Sequence, residues 1–206
     1  LSAPGPVVRP QDVAEIYNKI SLLRPPPSFL VMSGSLPRNI TPNIYAQLIK
    51  VVNDQRGKAV LDADGEPLRL GIEAQPYMIK PNIHELGRLV GRKVGDIKDV
   101  VRIGRELNAR GIEIVLVSMG PKGLVLISKD ISLHCISPNV KVVSRIGAGD
   151  SLVAGFVFSL VQGKSLRDAA IFATAAGTAA TLSPGTELCH KEDVLRLLRK
   201  VKVKTL

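Results

Sequence analysis

The chain has 206 residues, 45% of them hydrophobic and only 3% aromatic, enough for one α/β domain over residues 1–206 with a core of Ala, Val, Leu and Ile. Its formal net charge of +10 would suit a polyanionic partner. Yet the basic residues are spread along the chain apart from a cluster at Arg196, Arg199, Lys200, Lys202 and Lys204. No aromatic residues interleave with them, and no zinc-finger or RNA-recognition signature is present, so nucleic acid is not the expected partner. Cys135 and Cys189 stand far apart and unaccompanied, which excludes a disulfide framework and fits reduced thiols in a cytoplasmic protein. No signal peptide and no apolar run of the roughly 18 residues that a membrane span needs are visible, so no membrane partner is expected.

Apolar spacing predicts a first helix over Gln11 to Leu23, stopped by Arg24-Pro25-Pro26-Pro27. Phe29 to Met32 reads as a buried strand that ends in the turn Ser33-Gly34-Ser35. Thr41 is the expected N-cap of a helix that has Pro42 at its first position, runs to about Gln55 and closes at Gly57. The strand Ala59 to Asp62 follows, then the turn Ala63-Asp64-Gly65 and a short helix over Glu66 to Gly71. A strand over Tyr77 to Lys80 delivers Asn82, the expected cap of a helix reaching Val90. Asp96 to Ala109 is amphipathic and stops at Gly111. Strands are expected over Ile114 to Val117, Gly123 to Ser128, Ile131 to Ile136 and Val140 to Val143. Helices follow over 150–162, Leu166 to Thr181 and Asp193 to Arg199. The alternation implies a parallel sheet covered by helices, with ligands beyond the carboxyl ends of its strands. The loops after Met32, Asp62, Lys80, Val117 and Val143 lie at such ends.

The most informative stretch is Ser144-Arg145-Ile146-Gly147-Ala148-Gly149-Asp150-Ser151. Glycines let the backbone bend sharply and bring its N–H groups close to a ligand. The first turn of the following helix adds unpaired donors and a partial positive charge, which together suit a phosphate. A carboxylate would repel a phosphate, so Asp150 reads either as a proton acceptor or as a cap beside a tight turn.

Gly147-Ala148-Gly149-Asp150-Ser151, with Ala154-Gly155 following, resembles the C-terminal signature of the PfkB (ribokinase-like) family of carbohydrate kinases. Ser33-Gly34-Ser35-Leu36-Pro37 resembles that family's sugar-side loop. Lys80-Pro81-Asn82-Ile83-His84-Glu85-Leu86 resembles its Asn-x-x-Glu motif, and Ser118-Met119-Gly120-Pro121-Lys122-Gly123 its nucleotide-side turn. Ala175 to Leu182, with Gly185-Thr186, is similar to the phosphofructokinase branch. The order of the motifs is the family's own. Members also carry an N-terminal third with a Gly-Gly-rich sugar motif and a β-sheet lid, to which nothing here corresponds. The opening Leu1-Ser2-Ala3-Pro4-Gly5 resembles the middle of such a protein. The chain is therefore expected to be the C-terminal two-thirds, a fragment or a shortened member.

The resemblance implies a three-layer ribokinase-like fold, with a mostly parallel sheet, helices on both faces and the lid absent. It implies ATP-dependent phosphoryl transfer to a hydroxyl of a sugar phosphate, phosphofructokinase-like, with Mg²⁺ and a monovalent cation such as K⁺. The alternatives are a kinase for tagatose 6-phosphate, fructose 1-phosphate or another sugar, and a non-catalytic nucleotide-binding module. The full-length form would be a homodimer. Gly147, Ala148 and Gly149 would hold the transferring phosphoryl and Asp150 would be the base. Asn82 and Glu85 would hold Mg²⁺ through water, although the bare sequence also reads as a helix cap with its box partner. Lys80 would reach a nucleotide phosphate, or else stand solvated at a strand end. Ser118, Gly120, Pro121 and Gly123 would lie along the nucleotide, with Ser144 also on that side. Thr178 would border the adenine where small residues leave room, close helix packing being the rival account. Ser33, Gly34 and Ser35 would meet the sugar. Ser144, Ile146, Ala180, Ser183 and Gly185 would surround the monovalent cation. Glu187 and Arg145 depart from the basic residue and threonine usual in that branch. His84, His134 and His190 read as structural or surface residues.

Overall fold

Runs of β-branched and aliphatic residues form the strands, and the amphipathic stretches between them form the helices. The computed structural model describes residues 6–206. Leu1–Gly5, which carry the reading of the chain's opening, lie outside the described residues. The fold is mixed α/β and mostly parallel: four of the seven described strands run parallel. Two compact units are formed, one by Leu1–Lys93 with Glu106–Val115, the other by Val94–Arg105 with Leu116–Leu206.

In the first unit, helix α1 (Pro10–Leu22) precedes strand β1 (Phe29–Ser33), helix α2 (Ile44–Asp54) and strand β2 (Lys58–Asp62). Helix α3 (Gly65–Glu73), strand β3 (Met78–Ile79) and helix α4 (Ile83–Leu89) follow. Strands β1, β2 and β3 pair in parallel, and β3 pairs in parallel with β4 (Ile114–Ser118) through Met78 opposite Ile114 and Ile79 opposite Val115. The core of this unit gathers Ile49, Val52, Val60, Leu61, Leu68 and Ile72, all buried. Continuous burial along β2 is what a strand covered on both sides requires.

The second unit holds the start of helix α5 (Ile97–Ala109) and strands β5 (Leu124–Ser128) and β6 (Ser132–Ile136). Helices α6 (Ala148–Val161), α7 (Leu166–Ala180) and α8 (Lys191–Leu198) and strand β7 (Lys202–Thr205) complete it. Its strands β5, β6 and β7 are antiparallel. Strand β7 was not legible in the basic C-terminal sequence. It pairs Val203 with Cys135, its two lysines exposed on either side, a pattern that protects a sheet edge from further pairing.

Three expectations are corrected. No strand forms over Val140 to Val143. The apolar run has another cause: Val140 packs against the cluster of Ala175, Ala176, Ala179, Val194 and Leu197, and Val143 donates its N–H to the Thr181 carbonyl at 2.8 Å. Helix α2 begins after Thr41, whose carbonyl instead closes a turn with the Ile44 N–H at 3.2 Å. Asn43 is its N-cap residue, without a side-chain capping bond. At the other end of α2 the left-handed residue is Arg56 at φ 60° rather than Gly57. Arg56 donates its N–H to Asn53 and Gly57 to Val52, both at 2.9 Å, a Schellman closure displaced by one residue from the glycine.

An arginine in that conformation carries a steric cost that glycine lacks. Arg56→Gly is therefore expected to stabilise the protein by about 0.5–1 kcal/mol. The check is a higher urea midpoint at unchanged slope.

Candidate active site

In the first unit, the carboxyl edge of the parallel strands brings three polar residues into line. Ser33 lies opposite Asp62 at the ends of β1 and β2, and Lys80 donates its N–H to the Leu61 carbonyl at 3.0 Å. Ser33, Gly34 and Ser35 are exposed. Gly34 adopts φ 98°, and its N–H donates to the Asp62 carbonyl at 3.0 Å. The Tyr45 hydroxyl meets the carbonyls of Ser33 and Gly34 at 3.2 and 3.1 Å.

Lys80 is buried, not solvated, and its Nζ lies 2.9 Å from Asp62 Oδ1. Sequence reasoning singled out neither Asp62 nor Tyr45, because neither belongs to a local motif. Asn82 caps α4: its Oδ1 accepts the N–H groups of His84 and Glu85 at 2.8 and 2.9 Å. Glu85 Oε2 accepts the Asn82 N–H at 2.7 Å, and Oε1 accepts Asn82 Nδ2–H at 2.6 Å. The pair thus forms a closed capping box, with free lone pairs left on the carboxylate. Asp64, which caps α3, is gripped by Arg88 at 2.6 Å, and that guanidinium holds its carboxyl below the usual range.

In the second unit, α6 starts two residues earlier than expected. Gly147 is its N-cap at φ 75°, so Ala148, Gly149 and Asp150 occupy the first turn. Asp150 is exposed and stands at the third helical position, not at the cap. The Ala148 N–H donates back to the Arg145 carbonyl at 3.5 Å, and the first turn of a helix leaves its N–H groups without the usual carbonyl four residues earlier. Ser151 follows, buried, with its Oγ unpartnered among the described residues.

Ser118 to Gly123 link β4 to β5 through a short 3-10 turn over Gly120–Lys122. Gly120 and Pro121 are exposed. Gly123 is buried, and a Cβ there would lie 2.0 Å from the Cys135 carbonyl oxygen; packing alone therefore demands this glycine. Thr178 is buried, and its hydroxyl donates within α7 to the Thr174 carbonyl at 2.7 Å. The expected cation residues are brought together in part. Ser144 Oγ donates to the Gly185 carbonyl at 2.9 Å and accepts the Ile146 N–H at 3.2 Å, and Ser183 donates its N–H to the Ala180 carbonyl at 3.3 Å. Each of these carbonyls keeps a second lone pair. Glu187 pairs with His190 at 2.6 Å, while Arg145 is exposed. His134 is buried, its Nε2 2.7 Å from the Lys122 carbonyl oxygen. Burial pushes the Cys135 thiol up to about 11, in keeping with a core residue.

The buried Lys80–Asp62 pair is the most costly of these arrangements to break on one side. Lys80→Met removes the cation that faces the mostly buried Asp62 carboxylate and is expected to destabilise by roughly 3–5 kcal/mol. Adding Asp62→Leu should recover most of the loss, both read by urea denaturation.

The sequence profile of the pfkB family carbohydrate kinases matches residues 11–193. The chain is 34% identical over 204 residues to a 1-phosphofructokinase of Borreliella burgdorferi, covering 98% of this chain and 65% of that protein. It is 34% identical over 190 residues to a D-tagatose-1-phosphate kinase of Bacillus licheniformis, covering 92% of this chain and 62% of the relative. The crystal structure of phosphofructokinase-2 from Escherichia coli in complex with potassium superposes with a TM-score of 0.90 at 31% identity, over 97% of this chain and 65% of that one. The chain thus spans just under two thirds of the length of these relatives. A profile match over nearly the whole chain, with these identities, makes it a member of the PfkB family of carbohydrate kinases.

Proposed function

We propose that this chain is the nucleotide-binding, base-carrying part of a kinase that transfers the γ-phosphoryl group of ATP to a hydroxyl of a ketose phosphate. The observation that carries the reading is Asp150 in the first turn of a helix entered through the left-handed Gly147. The amides of Ala148 and Gly149, with that of Asp150, would donate to the oxygens of the migrating phosphoryl. Asp150 would take the proton of the sugar hydroxyl as that oxygen bonds to the γ-phosphorus, the bond to the β-phosphate oxygen breaks, and ADP leaves. Ser33, Gly34 and Ser35 would bind the sugar phosphate. The exposed turn at Gly120 and Pro121, with Ser118, would lie along the nucleotide, and Gly177 and Thr178 would border its base. A ketose phosphate is the common ground of the two curated relatives, a 1-phosphofructokinase and a D-tagatose-1-phosphate kinase. Fructose 6-phosphate, fructose 1-phosphate and tagatose 6-phosphate are the acceptors to try.

Mg²⁺ bound to ATP would neutralise the phosphate charge. Among the described residues no three His, Cys, Asp or Glu side chains cluster for a metal. That suits an ion held chiefly by its own water and by phosphate, with Glu85 offering its remaining lone pairs. The carbonyls around Ser144 and Gly185 would take a monovalent cation such as the potassium of the solved relative. No described helix is long and apolar enough to cross a membrane, and a cytoplasmic enzyme, dimeric in its complete form, fits this reading. A nucleotide-binding module without turnover is the second reading.

ADP release coupled to NADH oxidation, measured on this chain and on the complete protein that contains it, separates the two. In whichever form turns over, Asp150→Asn is expected to lower kcat by about 10²–10⁴-fold. A loss well under a hundredfold would remove Asp150 as the base.

A further inference from the structure

We infer that Tyr45 is the positioning residue of the sugar-side turn: its hydroxyl fixes the backbone of Ser33 and Gly34, so that Ser33 and Ser35 meet the sugar phosphate in one orientation. The inference rests on the kinase reading above. It starts from what does not hold the turn. Ser33, Gly34 and Ser35 are all exposed. A Cβ built on Gly34 would meet nothing within 4 Å, so the side-chain face of this residue is open. Its conformation, φ 98°, is one of several open to glycine. An open glycine turn at the end of a strand would be loose unless polar contacts restrained it.

Two contacts do so, on opposite sides of the same residue. The Gly34 N–H donates to the Asp62 carbonyl at 3.0 Å, tying the turn to the end of β2. The Gly34 carbonyl lies 3.1 Å from the Tyr45 hydroxyl, which also reaches the Ser33 carbonyl at 3.2 Å. One phenolic proton is thus shared between two successive carbonyls. Tyr45 belongs to α2 and its ring is buried, at 9% exposure. The hydroxyl is therefore delivered by a packed helix, and its place does not depend on the turn. Burial, and after it the charge of Asp62, holds the phenol above its ordinary value, which keeps the proton on the oxygen at working pH. Removing the hydroxyl and keeping the ring would leave the fold intact, take one restraint from the Ser33 and Gly34 carbonyls and leave Gly34 its bond to the Asp62 carbonyl. Substrate would then have to order the turn as it binds, so affinity for the sugar suffers while the nucleotide is unaffected.

The test is Tyr45→Phe in the complete protein, with KM measured for the ketose phosphate and for ATP, and amide hydrogen exchange followed in the segment 30–40. The expected result is a KM for the sugar phosphate raised roughly threefold to tenfold, the loss of one hydrogen bond, with the KM for ATP unchanged. Exchange at Gly34 should speed up severalfold without ligand. Equal rises in both KM values, no change in either, or unaltered exchange at Gly34 in an active enzyme would overturn the role of Tyr45 and leave the kinase reading standing. A wild-type protein that phosphorylates none of the ketose phosphates overturns the kinase reading itself, and the positioning role with it.

Discussion

Helix α6 is entered through one left-handed residue, Gly147 at φ 75°, and the segment before it is arranged around that bend. The approach is held by the far end of another helix. The N–H groups of Val143 and Ser144 both donate to the Thr181 carbonyl, at 2.8 and 3.3 Å. Ser144 Oγ then reaches Gly185, and the Ile146 N–H returns to Ser144 Oγ. With the approach fixed, helical geometry sets the direction of the amides of Ala148, Gly149 and Asp150. On the proposed kinase reading, a corner built from main chain in this way would be ordered before its ligand arrives, which is the condition for electrostatic stabilisation without reorganisation.

The corner also depends on how closely α6 and α7 approach. A Cβ on Gly155 would lie 3.0 Å from that of Ala176, and one on Gly177 would lie 3.0 Å from the Ala148 carbonyl oxygen. Gly177 thus sits against the first residue of α6, where any side chain would push the helix start aside. The small residues of α7 therefore have a mechanical function whatever borders the nucleotide base. Thr178 supports this account, because its hydroxyl is satisfied inside its own helix.

What could be read from the sequence was what is encoded locally. The cap at Asn82 and its partner Glu85 lie three residues apart, and each satisfies the other's backbone. The glycine-rich corner and most helix limits are local in the same sense. What could not be read depends on distant partners. Val140 to Val143 has strand composition, but α7 and α8 claim its apolar side chain and α7 its amide. Strand β7 carries two lysines and exists because β6 offers an edge. Lys80 looks like a solvated strand-end residue until Asp62, eighteen positions earlier by sequence number, is found 2.9 Å away. Tyr45 falls inside a predicted helix, and nothing in its neighbourhood announces that its hydroxyl ends on a turn eleven residues upstream.

The two glycine turns, Gly34 and Gly147, solve the same problem by different means. On the proposed kinase reading each would show main-chain groups to a ligand, which forbids covering them with side chains and so removes the usual source of rigidity. At Gly147 the substitute is a helix: once the bend is made, the periodic hydrogen bonds of α6 fix the amides, beginning with Ser151 N–H to the Gly147 carbonyl at 2.9 Å. At Gly34 no helix follows at once, because α2 begins only at Ile44, and the restraint has to be imported from outside the turn. A buried hydroxyl on a packed helix is well suited to this. It reaches two carbonyls from below, needs no volume on the ligand side, and keeps its proton because burial opposes ionisation. By this reasoning the phenol at position 45 is a requirement of the open turn at position 34, and the burial of its ring is what makes the restraint firm.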